Sequence, residues 1–100
     1  MIALITRYQR KPGTRDEASA LLETLRDDIM GLPGMIQFTN VMHDDGSGYL
    51  ISLVESDAHA SAHSAKSAGI WAKFAQYVET MPVVESCDVA AYWTKTGPDA

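Results

Sequence analysis

The sequence predicts an α+β sandwich in which strands and helices follow one another in the order β-α-β-β-α-β. Three observations predict this class. Four runs are rich in β-branched and aromatic residues: 2–8, 35–43, 49–55 and 83–95. Two further runs, 14–31 and 57–81, carry apolar residues at helical spacing. The total length of 100 residues is that of one compact domain.

The first strand ends at the turn signal Lys11-Pro12-Gly13. Alternation of side chains puts one set of residues on one sheet face: Ile2, Leu4, Thr6 and Tyr8. The opposite face carries Ala3, Ile5 and Arg7. Because both faces include apolar residues, we expect both to be covered.

The first helix is expected to begin at a capping box. In this motif the Thr14 hydroxyl accepts from the Glu17 N–H, and the Glu17 carboxylate accepts from the Thr14 N–H. The residues that follow form one apolar stripe: Ala18, Leu21, Leu22, Leu25 and Ile29. Gly31 and Pro33 are then expected to end the helix.

The second and third strands flank the short polar segment 44–48, which predicts a β-hairpin. Asn40 lies within the second strand, where asparagine is uncommon. Two interpretations of its amide stay open. It is either an internally satisfied or dimer-facing group, or a contact for a ligand.

The second helical run has Ser56 as its expected N-cap. A single helix over 57–81 would be about 38 Å long, whereas a nine-residue strand spans about 30 Å. We therefore expect a break at Ser67-Ala68-Gly69, since glycine is unfavourable inside helices. The second piece then buries one stripe and ends at Pro82: Ile70, Phe74, Tyr77, Val78 and Met81.

The fourth strand, 83–95, completes the order of elements. Right-handed β-α-β crossovers then give a ferredoxin-like sandwich, with an antiparallel four-stranded sheet and helices on one face. The domain is expected to cover 1–96, with 97–100 as a flexible tail. The uncovered sheet face would expose apolar side chains. We therefore expect a homodimer in which two sheets pack face to face.

The formal net charge of −5 argues against nucleic acids and membranes as partners. The single cysteine, Cys87, fits a reducing compartment, and its apolar neighbours favour a buried packing role. The N-terminal residues lack the features of a signal peptide or a membrane span. Together these observations predict a cytoplasmic protein.

Half of the eight lysine and arginine residues fall in one short stretch: Arg7, Arg10, Lys11 and Arg15. The usual role of such a run is a solvated turn between two elements. The alternative is an edge that contacts an anion.

His59 and His63 are four residues apart, a spacing at which two imidazoles on a helix can share a metal. No obvious third ligand follows them, although Glu55 lies one turn earlier. A solvated helix face explains the pair more simply, so no metal is predicted.

Three segments carry a resemblance to a known family: Leu32-Pro33-Gly34, the strand Tyr49 to Glu55, and the run Ser56 to His63. With the helix and strand that follow, they resemble the antibiotic biosynthesis monooxygenase (ABM) domain family of dimeric α/β barrels. The resemblance covers essentially the whole chain and implies the same ferredoxin-like fold. A fold of this kind hosts many activities.

Trp71 and Tyr77 resemble the Trp-x5-Tyr pair of the family's cofactor-independent, quinone-forming monooxygenases. This resemblance implies oxidation by O₂ of a small aromatic substrate of the phenol or hydroquinone type, with no cofactor. The candidate catalytic residues are Trp71, Tyr77 and His63. The candidate substrate-binding residues are Asn40, Phe74, Arg7, His59 and Ser67. Ser67 stands where the family pattern has an amide. Core packing is the alternative role for the aromatic pair.

Two other functions are considered. A haem-degrading branch of the family resembles this chain less, because Thr6 and Arg7 stand where its first-strand asparagine is expected and no histidine follows Trp71 in the second helix. A non-catalytic dimer that binds a small apolar metabolite would satisfy every feature of the sequence.

Overall fold

The fold is the predicted α+β ferredoxin-like sandwich, with one antiparallel four-stranded sheet. A computed structural model describes residues 1–95. The strands are β1 (Ile2–Gln9), β2 (Met35–Met42), β3 (Ser47–Val54) and β4 (Val84–Asp88), in the sheet order β2-β3-β1-β4. The helices are α1 (Arg15–Thr24), α2 (Arg26–Met30) and α3 (Asp57–Lys73), followed by a 3-10 turn, Ala75–Tyr77.

Strand β1 is central, because it pairs with β3 on one side and β4 on the other. Its alternation is as predicted. Ile2 and Leu4 form the core under the helices with Val54 of β3 and Ala60 of α3. The register aligns Leu4 with Ser52 and with Ser86, so these positions share the inner face. The outer face carries a second set: Ala3, Ile5, Arg7, Tyr49, Ile51 and Val41.

The first helical region is interrupted at Leu25, where one continuous helix was predicted. Here the Leu25 N–H donates to the Leu22 carbonyl (3.0 Å), and the Thr24 hydroxyl donates to the Leu21 carbonyl (2.7 Å). A threonine hydroxyl that bonds a carbonyl three residues earlier competes with the regular helical pattern. The apolar stripe nevertheless faces inward, with Ala18, Leu25 and Ile29 buried.

The predicted capping box is wrong. No side-chain hydrogen bond caps α1, and the Thr14 hydroxyl instead donates to the Lys11 carbonyl at 2.7 Å. The hydroxyl therefore stabilises the preceding turn and leaves no acceptor directed at the helix. The predicted hairpin between β2 and β3 is confirmed, and the Asp45 carboxylate accepts from both the N–H and the hydroxyl of Ser47 (2.9 and 2.7 Å).

Helix α3 is continuous, and the predicted break at Ser67-Ala68-Gly69 is wrong. Its seventeen residues give a length of about 25 Å at 1.5 Å per residue. An eight-residue strand spans about 26 Å, so no break is needed for the helix to fit the sheet. Ser56 caps the helix as predicted, accepting from the His59 N–H at 3.4 Å.

The helix ends at Lys73, well before the predicted end at Met81. After the 3-10 turn, Val78 pairs with Arg10, and the Glu79 N–H donates to the Gln9 carbonyl (2.9 Å). The segment expected to extend the helix therefore lies against the end of strand β1. Met81, predicted to be buried, is 49% exposed.

Strand β4 ends at Asp88, so the prediction of a strand through residue 95 is wrong. Asp88 pairs with Ile2, the first residue of β1, and the Val89 N–H makes a last bond to the Met1 carbonyl (3.1 Å). Beyond this point β1 offers β4 no further partner residues. The predicted flexible tail, 97–100, lies outside the described residues. Within residues 1–95, none of the helices combines the length and apolar character needed to cross a bilayer.

Candidate functional site

A cavity of about 90 Å³ lies between the inner face of the sheet and the helices. Most of its wall is apolar. The sheet contributes Leu4, Phe38, Met42 and Leu50, and the helices contribute Leu22, Ile29 and Ile70. Polar side chains line it as well: Thr6, Tyr8, Arg10, Asn40, Ser52 and His63. The arrangement is that of a small-molecule site, in which an apolar wall holds a few polar groups.

Six of the eight residues that the sequence singled out line this cavity: Asn40, His63, Ser67, Trp71, Phe74 and Tyr77. Arg7 and His59 do not line it. Arg7 is exposed and aligns with Tyr49 on the outer face of the sheet. His59 is partly exposed and lies near Ser56 and Gly34, whereas His63 is buried and lines the cavity, so the two imidazoles have different surroundings.

The aromatic part of the wall comes from the end of α3 and the turn that follows it. The Trp71 and Phe74 rings lie edge to face, with centroids 6.1 Å apart and an angle of 65° between their planes. Tyr77 reaches the cavity from the 3-10 turn and not from the helix. Its position is fixed by the Lys11 N–H, which donates to the Tyr77 carbonyl at 2.8 Å. The wall is thus tied to the end of strand β1.

Tyr8 is a cavity residue that alternation grouped with Ile2, Leu4 and Thr6 on one sheet face but that was not predicted to belong to the site. Its hydroxyl donates to the Asn40 side-chain oxygen (2.7 Å) and lies 3.3 Å from the Val41 carbonyl. Burial raises the pKa of Tyr8, although Arg10 and the bond to Asn40 act in the opposite direction. Gly48 makes this placement possible, because a Cβ there would collide with the Tyr8 hydroxyl. Asn40 is therefore held with its amide N–H₂ free of this bond.

His63 is only 4% exposed, and its Nδ1 has no hydrogen-bond partner among the described residues. Burial lowers the pKa of His63, and the neighbouring Pro33 carbonyl partly offsets this by favouring the protonated ring. The imidazole is therefore neutral near pH 7. A neutral imidazole has one nitrogen that can accept a proton from a bound molecule.

Arg10 is 6% exposed and lines the same cavity, and its Nε has no hydrogen-bond partner among residues 1–95. The sequence reasoning assigned it to a basic run at the end of β1 and not to the site. The signal that could have found it is alternation. Continuing the inner set of β1 by two residues beyond Tyr8 reaches Arg10.

The contacts of His59 are with residues at the start of α3 and with Gly34, outside the cavity. Its Nδ1 lies 2.9 Å from the Ser56 hydroxyl, and its Nε2 lies 3.9 Å from a Glu55 carboxylate oxygen. Its Cβ lies against Gly34, where a Cβ would come within 2.5 Å of it. In the described part of the chain, no three histidine, cysteine or acidic side chains converge on a point where a metal could bind.

Comparison with solved structures shows the same fold in several proteins. One is a protein of unknown function from Nitrosomonas europaea, with a TM-score of 0.79 and 18% identity over 96% of this chain and 95% of that one. Another is an antibiotic biosynthesis monooxygenase, with a TM-score of 0.73 and 16% identity over 91% and 100%. A third is a candidate antibiotic biosynthesis monooxygenase from Bordetella bronchiseptica, with a TM-score of 0.75 and 15% identity over 90% and 97%.

No family model matches the chain, and no curated protein matches it by sequence. At these levels of identity the structural likeness establishes the fold. The chain therefore has the ABM-like ferredoxin fold that the sequence resemblance implied.

Proposed function

We propose that the protein is a cofactor-independent monooxygenase that oxidises a small aromatic substrate of the phenol or hydroquinone type with O₂. The observation that carries the proposal is the shared cavity, in which an aromatic wall faces a buried neutral histidine and an asparagine. The likeness in fold to a protein named as an antibiotic biosynthesis monooxygenase supports it further.

The reaction needs no external electron donor. A phenol with a free para C–H loses its O–H proton, and the phenolate gives electrons to O₂. One oxygen atom then becomes bonded to the para carbon and the other leaves as water. The balance is one phenol and one O₂ giving one para-quinone and one water, with all four electrons from the substrate. A hydroquinone reacts instead at a free ring C–H, and one hydroquinone and one O₂ give one hydroxyquinone and one water. The protein has to bind the ring, stabilise the phenolate and exclude bulk water.

Each of these tasks has a candidate side chain in the cavity. Trp71 and Phe74 provide the faces and edges on which an aromatic ring packs. His63 is the proposed base, because burial keeps its ring neutral and able to accept the phenol proton. The Asn40 amide donates to the phenolate oxygen, since its own oxygen is occupied by Tyr8. Arg7 and His59 have no role in this proposal, because they do not line the cavity.

A non-catalytic function is the second candidate, and Ser67 is the observation that favours it. Ser67 lines the cavity where the family resemblance implies an amide, and its hydroxyl donates to the Ser64 carbonyl at 3.2 Å. A chain that lacks this group would retain the apolar cavity and bind a small metabolite without turnover. Haem chemistry has less support, since a cavity of about 90 Å³ is small beside a macrocycle.

Oxygen uptake tests the proposal. The purified protein is incubated with a panel of single-ring phenols and hydroquinones, and O₂ consumption is followed with an electrode. We expect Trp71→Phe and Tyr77→Phe to slow uptake by about tenfold or more, through lost ring positioning and proton handling. Quinone formed under ¹⁸O₂ should carry one labelled oxygen atom per turnover.

Two variants make the same chemical changes outside the cavity. Trp93 is 92% exposed and Tyr92 is 40% exposed, so Trp93→Phe and Tyr92→Phe should retain the wild-type rate. If wild-type uptake equals the buffer rate for every compound while the compounds still bind, the monooxygenase proposal fails and the binding protein is favoured.

The protein is also proposed to act as a homodimer joined through the outer sheet face. Val41 and Tyr49 are paired across strands β2 and β3 on that face, and they are 45% and 37% exposed. Neighbouring Ile5 and Ile51 on the same face are partly exposed. A second copy would remove this apolar surface from water.

A further inference from the structure

We propose that Arg10 is an anion-binding residue and that the ligand of the cavity is an aromatic carboxylate whose acid group binds the Arg10 guanidinium. The inference rests on the proposed function for the oxidisable ring. The anion site itself does not depend on turnover.

The burial of Arg10 is the first observation. It is 94% buried, and its Nε has no partner among residues 1–95. No carboxylate of that part of the chain lies within 4.0 Å of its guanidinium. A buried charge without a partner is costly, so such a group is normally paired or hydrogen-bonded. We infer that the acid group of a ligand supplies this partner.

The backbone holds Arg10 in this place. Its N–H donates to the Gly46 carbonyl at 2.8 Å, and the residue pairs with Val78 across an isolated bridge. The residue is thus fixed between the β2–β3 hairpin turn and the segment after α3. The backbone of Arg10 therefore has a defined position at the edge of the cavity.

The other three arginines differ from Arg10 in the exposure of their side chains. Arg7, Arg15 and Arg26 are all exposed. Arg15 has a carboxylate neighbour, since its Nη1 lies 3.4 Å from an Asp44 oxygen, and both side chains are in water. Arg10 combines deep burial with the absence of a described carboxylate.

The charged side chain that lines the cavity is positive. Among the described residues that line it there is no aspartate or glutamate, while Arg10 contributes a permanent positive charge. That charge reaches the interior of the cavity, because it acts on the Tyr8 hydroxyl and opposes the rise in the pKa of Tyr8. An apolar cavity with one fixed cation selects a ligand with one anionic group.

The position of Arg10 beside the aromatic wall indicates the rest of the ligand. Tyr77 and Val78 join strand β1 at Lys11 and Arg10, and Phe74 and Trp71 come one turn earlier. A ring on this wall therefore shares the cavity with the Arg10 side chain. The planar guanidinium matches a carboxylate in a bidentate pair, which is the geometry in which arginine binds acids most selectively.

The test compares two probes of nearly equal shape, 4-hydroxybenzoate and its neutral analogue 4-hydroxybenzamide, by calorimetry under nitrogen. Both have a substituent on the para carbon, so they report binding and are not substrates of the proposed reaction. We expect the wild type to bind the carboxylate at least about tenfold more tightly, as for a hydrogen-bonded charge pair. Arg10→Gln should abolish this preference, and Arg10→Lys should retain part of it. Arg26→Gln removes the same charge from an exposed helix position and should leave the preference unchanged.

Equal binding of the two probes by the wild type would overturn the inference, as would an equal loss of preference in Arg26→Gln and Arg10→Gln. A second measurement uses the wild-type protein alone, so it does not depend on whether a variant folds. The chain has four arginines, and the Nε–H of a buried arginine exchanges slowly enough to be seen by ¹⁵N NMR. Addition of 4-hydroxybenzoate, but not of the amide, should shift the one protected signal. An unchanged signal at a saturating concentration would contradict the proposal.

The failures of the two proposals are distinguishable. A carboxylate preference without O₂ uptake supports the Arg10 site and removes the monooxygenase. Uptake with neutral phenols and no carboxylate preference leaves the monooxygenase and overturns the Arg10 site.

Discussion

At the scale of single residues, the site is defined by polar groups that the fold buries without giving them a partner. Two side chains have such atoms among the described residues, Arg10 at Nε and His63 at Nδ1, and both line the same cavity. Buried polar groups in folded proteins are nearly always hydrogen-bonded. Their convergence in one apolar space therefore distinguishes this cavity from an ordinary packing defect.

The burial of His63 gives a prediction for the pH dependence of stability. Burial lowers the folded-state pKa of His63 below its ordinary value of 6.5. The unfolded chain therefore binds more protons between these two pKa values, so the free energy of unfolding falls as the pH drops below about 6.5. Each unit by which the pKa is lowered costs about 1.4 kcal/mol once the pH is below both values.

Urea unfolding at pH 7.5 and pH 5.5 measures this effect. We expect the wild type to lose more stability between these pH values than His63→Gln does. The His59→Gln variant removes a histidine of the same helix from outside the cavity and should keep the wild-type pH dependence. Equal losses for the wild type and His63→Gln would show that burial of His63 does not control the acid sensitivity.

Part of this residue-level description could be predicted from the sequence. Alternation along β1 grouped Thr6 and Tyr8 on one sheet face, and His63, Ser67 and Trp71 follow one another at helical spacing. All five residues line the cavity. Continuing the same alternation would have grouped Arg10 with Tyr8, but the burial of Arg10 also involves a bridge to Val78, a contact between residues far apart in sequence that alternation does not reveal. His59 does not line the cavity and lies against Gly34 instead, and its four-residue spacing from His63 does not distinguish these two positions.

At the scale of the elements, the sequence predicted the order and type of the strands and helices but not where the helices end. Helix length was judged from apolar spacing, which continued through Tyr77 and Val78. These residues do face inward, but they do so from a 3-10 turn and a bridge to β1. An apolar residue every three or four positions is satisfied by either geometry, so pattern alone could not separate them. Hydrogen bonds to the edge of β1 decide between the two.

The junction between β2 and α3 gives a prediction at this scale. Gly34 has a positive φ of 68°, and a Cβ at this position would lie 2.5 Å from the Cβ of His59. Gly34→Ala should therefore lower the free energy of unfolding for two reasons. Alanine is strained in the left-handed backbone conformation, and its Cβ would push α3 away from the start of β2. We expect a loss of stability of about 2–4 kcal/mol, from strain together with overpacking.

Gly13 provides the matched control. Its φ is 76°, nearly that of Gly34, but no atom lies within 4 Å of its missing Cβ. Gly13→Ala should lower the free energy of unfolding through backbone strain alone, by about 1 kcal/mol. Denaturant unfolding measures the loss of stability in each variant, and the difference between the two losses is the effect of the contact with His59. Equal losses in the two would mean that α3 does not depend on the close approach at Gly34.

At the scale of the whole molecule, the sheet has one face under the helices and one face open. The inner face holds the core and the cavity, whereas the outer face carries Val41 and Tyr49 in a directly paired position. Sequence alternation predicted an apolar outer face but could not establish what covers it, because nothing in one chain specifies its partner. The prediction of a homodimer follows from the cost of leaving this surface in water.

Sedimentation equilibrium tests the dimer. The chain has a mass of 10.9 kDa, so the wild type should sediment at about twice this value at micromolar concentration, as for a C2 dimer of ordinary size. Val41→Lys places a charge among the exposed apolar side chains of the outer face, beside Tyr49, and should shift the equilibrium to monomer by tenfold or more. Val83→Lys makes the same change at a side chain that is 85% exposed before strand β4, and it should leave the dimer intact.

The two variants also separate assembly from the site. One chain by itself forms the cavity, so we expect a monomeric Val41→Lys protein to bind 4-hydroxybenzoate within about threefold of the wild type, provided that its circular dichroism spectrum is unchanged. A wild type that is monomeric at all concentrations would contradict the sheet-face dimer. Dissociation by Val83→Lys and not by Val41→Lys would place the contact near β4 instead.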